Sequence, residues 1–445
     1  MLAEMVRLSY QHRAFYCYVI LSVWIFLLVA GNPFFSFYLQ TYFYSSFFFF
    51  LCHCCYPYHL YANLPPLFLF IPPSPTTNSV YQNYLAFLQN ASSYSRTAWA
   101  QFLGPFHGFP MLPSNSRDCK IGQLTTLGIG QLLKTGIILR NAYHHKLNLG
   151  NGTISSKDVV VYSTRYRRTV QSAVALLYAF LENDTFQNLA KITLQESQSY
   201  AFCNVDCVCP AAERFFKQHL KVIGLESFVP EININFYALL TYVCHGASLP
   251  CVDFETQRIC VKTEHVTGLF AYTEWEAKQL AKSNSRKKYG LLRAYGLLRS
   301  IVTYMLRIIS EAKPKIVLYS GHDKTLEYLA TALGIVSDRV TIPHYASRFI
   351  IEVYKINSKN EDHVASDFYF RVLINGKDFT QKIPFCRNAN FYSATYVEHD
   401  DTDNKTKKET KLCPIETIIR HLHDDYFVPF NATNFKDACS ARKHV

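Results

Sequence analysis

Charge is missing from the first part of this sequence. No Asp, Glu, Lys or Arg occurs between Ala14 and Ser95. Globular domains carry about a quarter charged residues, so this stretch is not an ordinary soluble surface. From Arg96 onward the balance is normal, and the chain divides near residue 95. Three further absences narrow its class. The ten cysteines from Cys119 onward contain no C-x-x-C pair, which excludes a standard zinc finger or ribbon. No internal repeat occurs, which excludes a solenoid. Basic runs are short: Arg286-Lys287-Lys288 and Lys405-Thr406-Lys407-Lys408 lack interleaved aromatics. The 45 Lys+Arg and 33 Asp+Glu of the 445 residues leave a net +12, but it is dispersed. No nucleic-acid groove is expected, and nothing in the sequence specifies an oligomeric state.

What fills the uncharged stretch is apolar and aromatic. Ala14 to Ala30 runs without a polar break behind Arg7 and Arg13. Its 17 residues are at the short end for a membrane span, and the preceding arginines favour a cytoplasmic 1–13 segment and a luminal remainder. We read 14–30 as an uncleaved signal-anchor giving a single-pass type II topology. Ala30-Gly31 also permits cleavage and secretion. The 31–95 segment reads as low complexity: half of Phe34 to His59 is Phe or Tyr, including Phe47 to Phe50. It is either a second membrane-embedded segment or the translation of a pyrimidine tract, since Phe, Ser, Leu and Pro codons can be written with pyrimidines alone. We favour the second, so that this part is not natural protein.

The 96–445 portion carries the signs of a lumen. Its cysteines, Cys119, Cys203, Cys207, Cys209, Cys244, Cys251, Cys260, Cys386, Cys413 and Cys439, are even in number and read as disulfide partners of undetermined connectivity. Cys439 is expected to pin the carboxyl-terminal tail. Sequons at Asn90, Asn151, Asn183, Asn404 and Asn431 agree. No metal and no cofactor is expected.

Two strand-to-helix turns stand out. Ile316 to Ser320 reads as a short buried strand, broken by Gly321 and followed by His322, Asp323 and a helical pattern (Leu326, Leu329, Leu333). Such a turn sits at the carboxyl edge of an open α/β sheet, where ligands bind. The helix start there favours an anion. Taken alone, the turn reads more readily as an Asp capping a helix beside a chance His. The second turn follows the strand Asp158 to Thr164 and leads into a helix from about Arg167 to Leu181. It is rich in arginine, whose planar fork grips phosphate oxygens in pairs. Cations at a helix amino terminus oppose its macrodipole, and an anion held between them relieves that conflict. Gly122 to Tyr143 is a helix by period, its glycines suited to close packing. Residues from 202 to about 312 read as a helical, Cys-rich insertion, with a long helix from Thr273 broken around Ser283 to Tyr289. Ser347 to Lys355 and Asp367 to Leu373 alternate as strands, and Asn375-Gly376 marks a turn.

These pieces resemble the histidine acid phosphatases. Gly122, Leu124, Thr125 and Gly128 match a G-x-L-T-x-x-G segment. Ser163, Thr164, Arg168, Thr169 and Ser172 resemble the second phosphate-binding motif, and Ser320 to Thr325 (SGHDKT) the S-A-H-D motif. All three occur in family order. The segments 202–210, 243–251, 375–386, 412–422 and 431–439 resemble a Golgi branch of that family, which acts on the phosphorylated glycan of the proteoglycan linkage region. The resemblance implies an α/β sheet flanked by helices, of the phosphoglycerate-mutase-like type, and a phosphomonoester hydrolase with a phosphohistidine intermediate. Carried over by position, Arg168 and Thr164 bind phosphate, His322 holds the phosphate in the transition state, and Asp323 is the proton donor.

The family's Arg-His-Gly motif, which carries the nucleophile, is absent from all 445 residues. The histidines before Cys119 are His12, His53, His59 and His107. His107 precedes Gly108 but follows Phe106, in a proline-flanked loop with no strand to carry it. The first strand is therefore expected to be damaged or absent, with 64–71 as a substitute followed by prolines. Three readings remain: a phosphatase in a faulty gene product, a pseudophosphatase that binds phosphoglycan, and an unrelated cysteine-rich protein.

Overall fold

The computed structural model describes residues 42–50 and 75–440, except 95, 114–122, 150–153, 182–188, 190, 200, 204–206, 223–247, 255–256, most of 269–281 and 336–344, 357–364 and 400–404. The chain divides into two units, Met1–Thr41 with Ile356–Glu361, and the remainder. The first lies almost wholly outside the described residues, as do the expected anchor at 14–30 and the substitute strand at 64–71. No described helix is long and apolar enough to cross a membrane.

The second unit is built on a nine-stranded mixed sheet. Its strands are β1 (Tyr42–Phe50), β2 (Val159–Thr164), β3 (Leu194–Ser197), β6 (Ile316–Ser320), β7 (Phe349–Lys355), β8 (Phe368–Ile374), β9 (Lys377–Asp378), β10 (Tyr392–His399) and β11 (Lys405–Pro414); β4 (Cys251–Phe254) and β5 (Gln257–Cys260) form a separate hairpin. The order is β10-β11-β8-β7-β1-β6-β2-β3, with β9 beside β8. β1, β6, β2 and β3 run parallel; β7 runs against β1, and β8 runs against β7. β6 is buried at all five positions, as a parallel strand covered on both faces must be.

The expectation of a lost first strand is corrected. Tyr42–Phe50 lies between β6 and β7, paired from Ser46↔Ile316 to Phe50↔Ser320 on one side and from Tyr42↔Lys355 to Phe48↔Ile350 on the other. Phe and Tyr are strong strand formers, and an uncharged run without alternation is what a strand inside a parallel sheet looks like. The same missing periodicity had marked it as low complexity.

The helices are α1 (Pro75–Tyr94), α2 (Arg96–Leu103), α3 (Thr126–Tyr143), α4 (Arg167–Leu181), α5 (Pro210–Val222), α6 (Asn284–Glu311), α7 (Asp323–Ala332), α8 (Ile415–Arg420) and α9 (Phe435–Cys439). α3 and α4 pack closely because Gly136 has no side chain; a Cβ there would meet Leu176 O at 2.6 Å. The expected break in the long helical pattern falls at Ser283, which caps α6 by accepting from Arg286 N–H, and α6 then runs unbroken to Glu311. The Asn375-Gly376 turn joins β8 to β9, both residues at positive φ (51° and 83°).

Among the described residues four disulfides close: Cys203–Cys207, Cys209–Cys439, Cys251–Cys260 and Cys386–Cys413. Cys439 does pin the tail, onto the start of α5. Cys119 and Cys244 lie outside the described residues, as do the sequons at Asn151, Asn183 and Asn404.

One buried carboxylate, Glu352 of β7, is 1% exposed. Tyr143 donates to it at 2.6 Å and Tyr354 at 2.8 Å, and Arg371 of β8 pairs with it. Removing one partner of a buried pair costs about 3–5 kcal/mol. Glu352→Ala is expected to lower the unfolding free energy by about that much in urea titrations; a loss below about 1 kcal/mol would show that the pair holds little. Proline at Phe48, where both neighbouring strands are paired, removes a ladder hydrogen bond that a central strand needs. Phe48→Pro is expected to leave the chain open to limited proteolysis, whereas proteolysis unchanged from wild type would remove β1 from the sheet.

Candidate active site

β2 and β6 end level with each other, Ser163 opposite Ser320. Beyond that edge the two turns face one another. The ends are tied: Ser320 Oγ donates to Thr169 O at 2.7 Å, and both residues are fully buried. Thr169 Oγ1 in turn donates to Thr164 O and Tyr166 O at 2.9 and 2.8 Å. Gly321 is required where it stands, because a Cβ would lie 2.7 Å from the Phe202 ring and 2.9 Å from Thr325 Oγ1.

His322 is the amino-terminal cap residue of α7, and its N–H donates to Thr325 Oγ1 at 3.1 Å. Asp323 is the first helical residue and does not cap the helix; its Oδ1 accepts from Lys324 N–H at 2.8 Å. The imidazole reaches across to the other turn. Its Nε2 lies 2.9 Å from Thr164 Oγ1, and its Nδ1 lies 3.4 Å from an Arg168 terminal nitrogen. These contacts assign the tautomer. A guanidinium only donates, so Nδ1 accepts and the ring proton sits on Nε2. Thr164 Oγ1 donates to Thr169 Oγ1 at 3.0 Å, leaving a lone pair for that Nε2–H.

The imidazole is neutral over a wide range. Burial, then the Arg168 charge, pulls its pKa down to about 4, against a smaller opposing pull from Asp323. A cation, a neutral imidazole and the positive end of a ten-residue helix thus meet at one edge, an arrangement that attracts an anion.

The three arginines of the turn do not act together as expected. Arg165 pairs with Glu196 of β3 at 2.7 Å. Arg167 donates to Pro110 O and Leu112 O at 2.9 and 2.6 Å. Arg168 faces His322. His107 is exposed at the end of a short 3-10 turn, as its loop context suggested. His12, His53 and His59 lie outside the described residues. Among the described residues no cluster of His, Cys, Asp and Glu could hold a metal ion.

Sequence reasoning missed Gln171. Its amide is 1% exposed and donates to the carbonyls of Pro110, Met111 and Leu112 at 3.1–3.3 Å. With Arg167 it fastens the 110–112 segment to the first turn of α4. A buried glutamine one turn past Arg167, on the face of a helix otherwise apolar, was the available signal.

The model of the histidine phosphatase superfamily, branch 2, matches residues 37–375. The chain belongs to that family. The match starts ahead of β1 and takes in both turns of the site. 2-Phosphoxylose phosphatase 1 of Xenopus tropicalis is 28% identical over 373 residues, covering 79% of this chain and 68% of the relative. The human protein of that name is 28% identical over 372 residues, covering 78% and 71%. Lysosomal acid phosphatase of Xenopus laevis is 26% identical over 322 residues, covering 64% and 70%. This histidine phosphatase thus shares most of its length with phosphatases of phosphomonoesters.

The His322 shift fixes a pH dependence. Between about 4 and the ordinary value of 6.5 the unfolded chain binds a proton that the folded chain does not. Stability therefore rises with pH across that window and is lost as pH falls through about 4. His322→Asn is expected to flatten this part of the pH profile of the urea midpoint. A slope equal to that of the wild type would mean that the imidazole is solvated.

Proposed function

We propose that this chain binds the 2-phosphate of xylose in the glycosaminoglycan–protein linkage region, in the Golgi lumen behind a membrane anchor at 14–30, and that it has lost hydrolytic turnover. The observation that carries the reading is His322 held between Thr164 and Arg168 at the level ends of β2 and β6. Relatives named for 2-phosphoxylose support the choice of ligand.

In this reading Arg168 grips two phosphate oxygens, and the bound anion draws a proton onto His322 Nδ1, which donates to a third while Nε2–H stays on Thr164. The α7 amino terminus adds favourable potential. In the same reading Asp323, next to His322 in sequence, would protonate a leaving sugar oxygen. That proton transfer needs an attack on phosphorus, and the Arg-His-Gly nucleophile motif is missing from the sequence. Loss of a nucleophile in a coupled site costs on the order of a million-fold in turnover.

A second reading, retained catalysis, is favoured by one observation: β1 stands in the sheet with its last residue opposite Ser320. His53 follows Phe50 three residues later in the sequence, outside the described residues. Two measurements separate the readings. Hydrolysis of methyl β-xyloside 2-phosphate by the full chain is expected to equal that of the His322→Ala variant. Turnover above that background which His53→Ala abolishes establishes the second reading instead. Arg168→Ala is expected to weaken binding of inorganic phosphate by roughly 10-fold or more, the value of a charge-assisted hydrogen bond. Unchanged affinity in calorimetry would remove Arg168 from the pocket.

A further inference from the structure

The turn between β2 and α4 carries an aromatic ring that gripping a phosphate does not need. Tyr166 is 46% exposed, yet its backbone is fixed. Its N–H donates to Thr164 O at 2.8 Å, and its carbonyl accepts from Thr169 Oγ1 at 2.8 Å and Val170 N–H at 3.2 Å. Its ring meets His322 edge to face with centroids 5.0 Å apart, and the Arg168 guanidinium lies 4.4 Å from its centroid. The ring therefore touches both groups that face the anion site while half of it stays in water.

A second apolar element borders the same turn. Leu112 is 45% exposed, and Phe109 lies 5.8 Å beneath the Arg165 guanidinium. The segment is held in place through its carbonyls by Arg167 and Gln171. Exposed apolar side chains scattered singly need no explanation. These are rigidly mounted next to an anion site, and that combination selects for a ligand with an apolar face beside its phosphate. A pyranose ring has one, made of its axial C–H bonds, with its hydroxyls turned outward. An unbranched alkyl phosphate offers no such face, and inorganic phosphate offers none at all.

We propose that Tyr166 determines specificity: the exposed part of its ring packs on the C–H face of the sugar that carries the phosphate, while Arg168 and His322 hold the phosphate itself. The proposal rests on the sugar-phosphate reading of the pocket, and its test separates the two. The probes are methyl β-xyloside 2-phosphate and inorganic phosphate, titrated by calorimetry into the full chain, Tyr166→Ala and Tyr166→Phe. Tyr166→Ala is expected to lose about 3- to 10-fold in affinity for the xyloside phosphate, the scale of one aromatic contact, and to keep inorganic phosphate within about twofold. Tyr166→Phe is expected to keep both. Equal losses for both probes would make Tyr166 only a support for Arg168 and His322, and would overturn the proposal, as would an unchanged xyloside affinity in Tyr166→Ala. A wild-type chain that binds inorganic phosphate but not the xyloside phosphate overturns it too. A wild-type chain that binds neither removes the pocket reading itself.

Discussion

Two parallel strands that stop level with each other govern this molecule. Because β2 and β6 stay in register up to Ser163 opposite Ser320, the turns that follow leave the sheet side by side. Residues separated by 154 and 158 positions then meet at one imidazole. A slip of a single residue would turn every side chain of β6 to the opposite face. The buried Ser320 to Thr169 hydrogen bond ties that register to the first turn of α4. The sheet's hydrogen bonding and the site's geometry are one constraint.

Within that frame the charges are sorted by their neighbours. Glu196 and the carbonyls of the 110–112 segment draw Arg165 and Arg167 aside. Arg168 is turned toward the ring whose ionisation it opposes. A protonated His322 would stand against a fixed cation and a helix amino terminus; the neutral tautomer instead donates to Thr164 and accepts from Arg168. On α7 itself, Glu327 is opposed by burial but held ionised by Lys324 and Arg286, which pull its pKa down to about 2. The charged groups one turn into the helix thereby satisfy one another.

Much of this was legible in the residues. The two strand-to-helix turns, the Asn375-Gly376 hairpin and the role of Cys439 all follow from local patterns: apolar runs, turn chemistry and cysteine parity. What was not legible depends on partners far away in sequence. The sorting of the three arginines needs Glu196 and the 110–112 carbonyls, which no local spacing announces. β1 was unreadable for a different reason. A strand walled in on both sides has no reason to alternate, so its sequence carries no period to detect. Gln171 hid as the arginines did, because its partners are backbone carbonyls some 60 residues upstream.

The position of β1 also dictates an order of events. Its neighbours lie far downstream: Ser46 pairs with Ile316, and Phe48 with Ile350. At roughly 5–20 residues per second of synthesis, an uncharged aromatic strand leaves the ribosome roughly 15 to 60 seconds before either flank of its slot exists. Segments of this kind pair readily with whatever edge they meet. A chain that puts its most adhesive strand first and its slot last depends on being sheltered during that interval, so the yield of folded protein is set by waiting time as much as by the stability of the finished sheet.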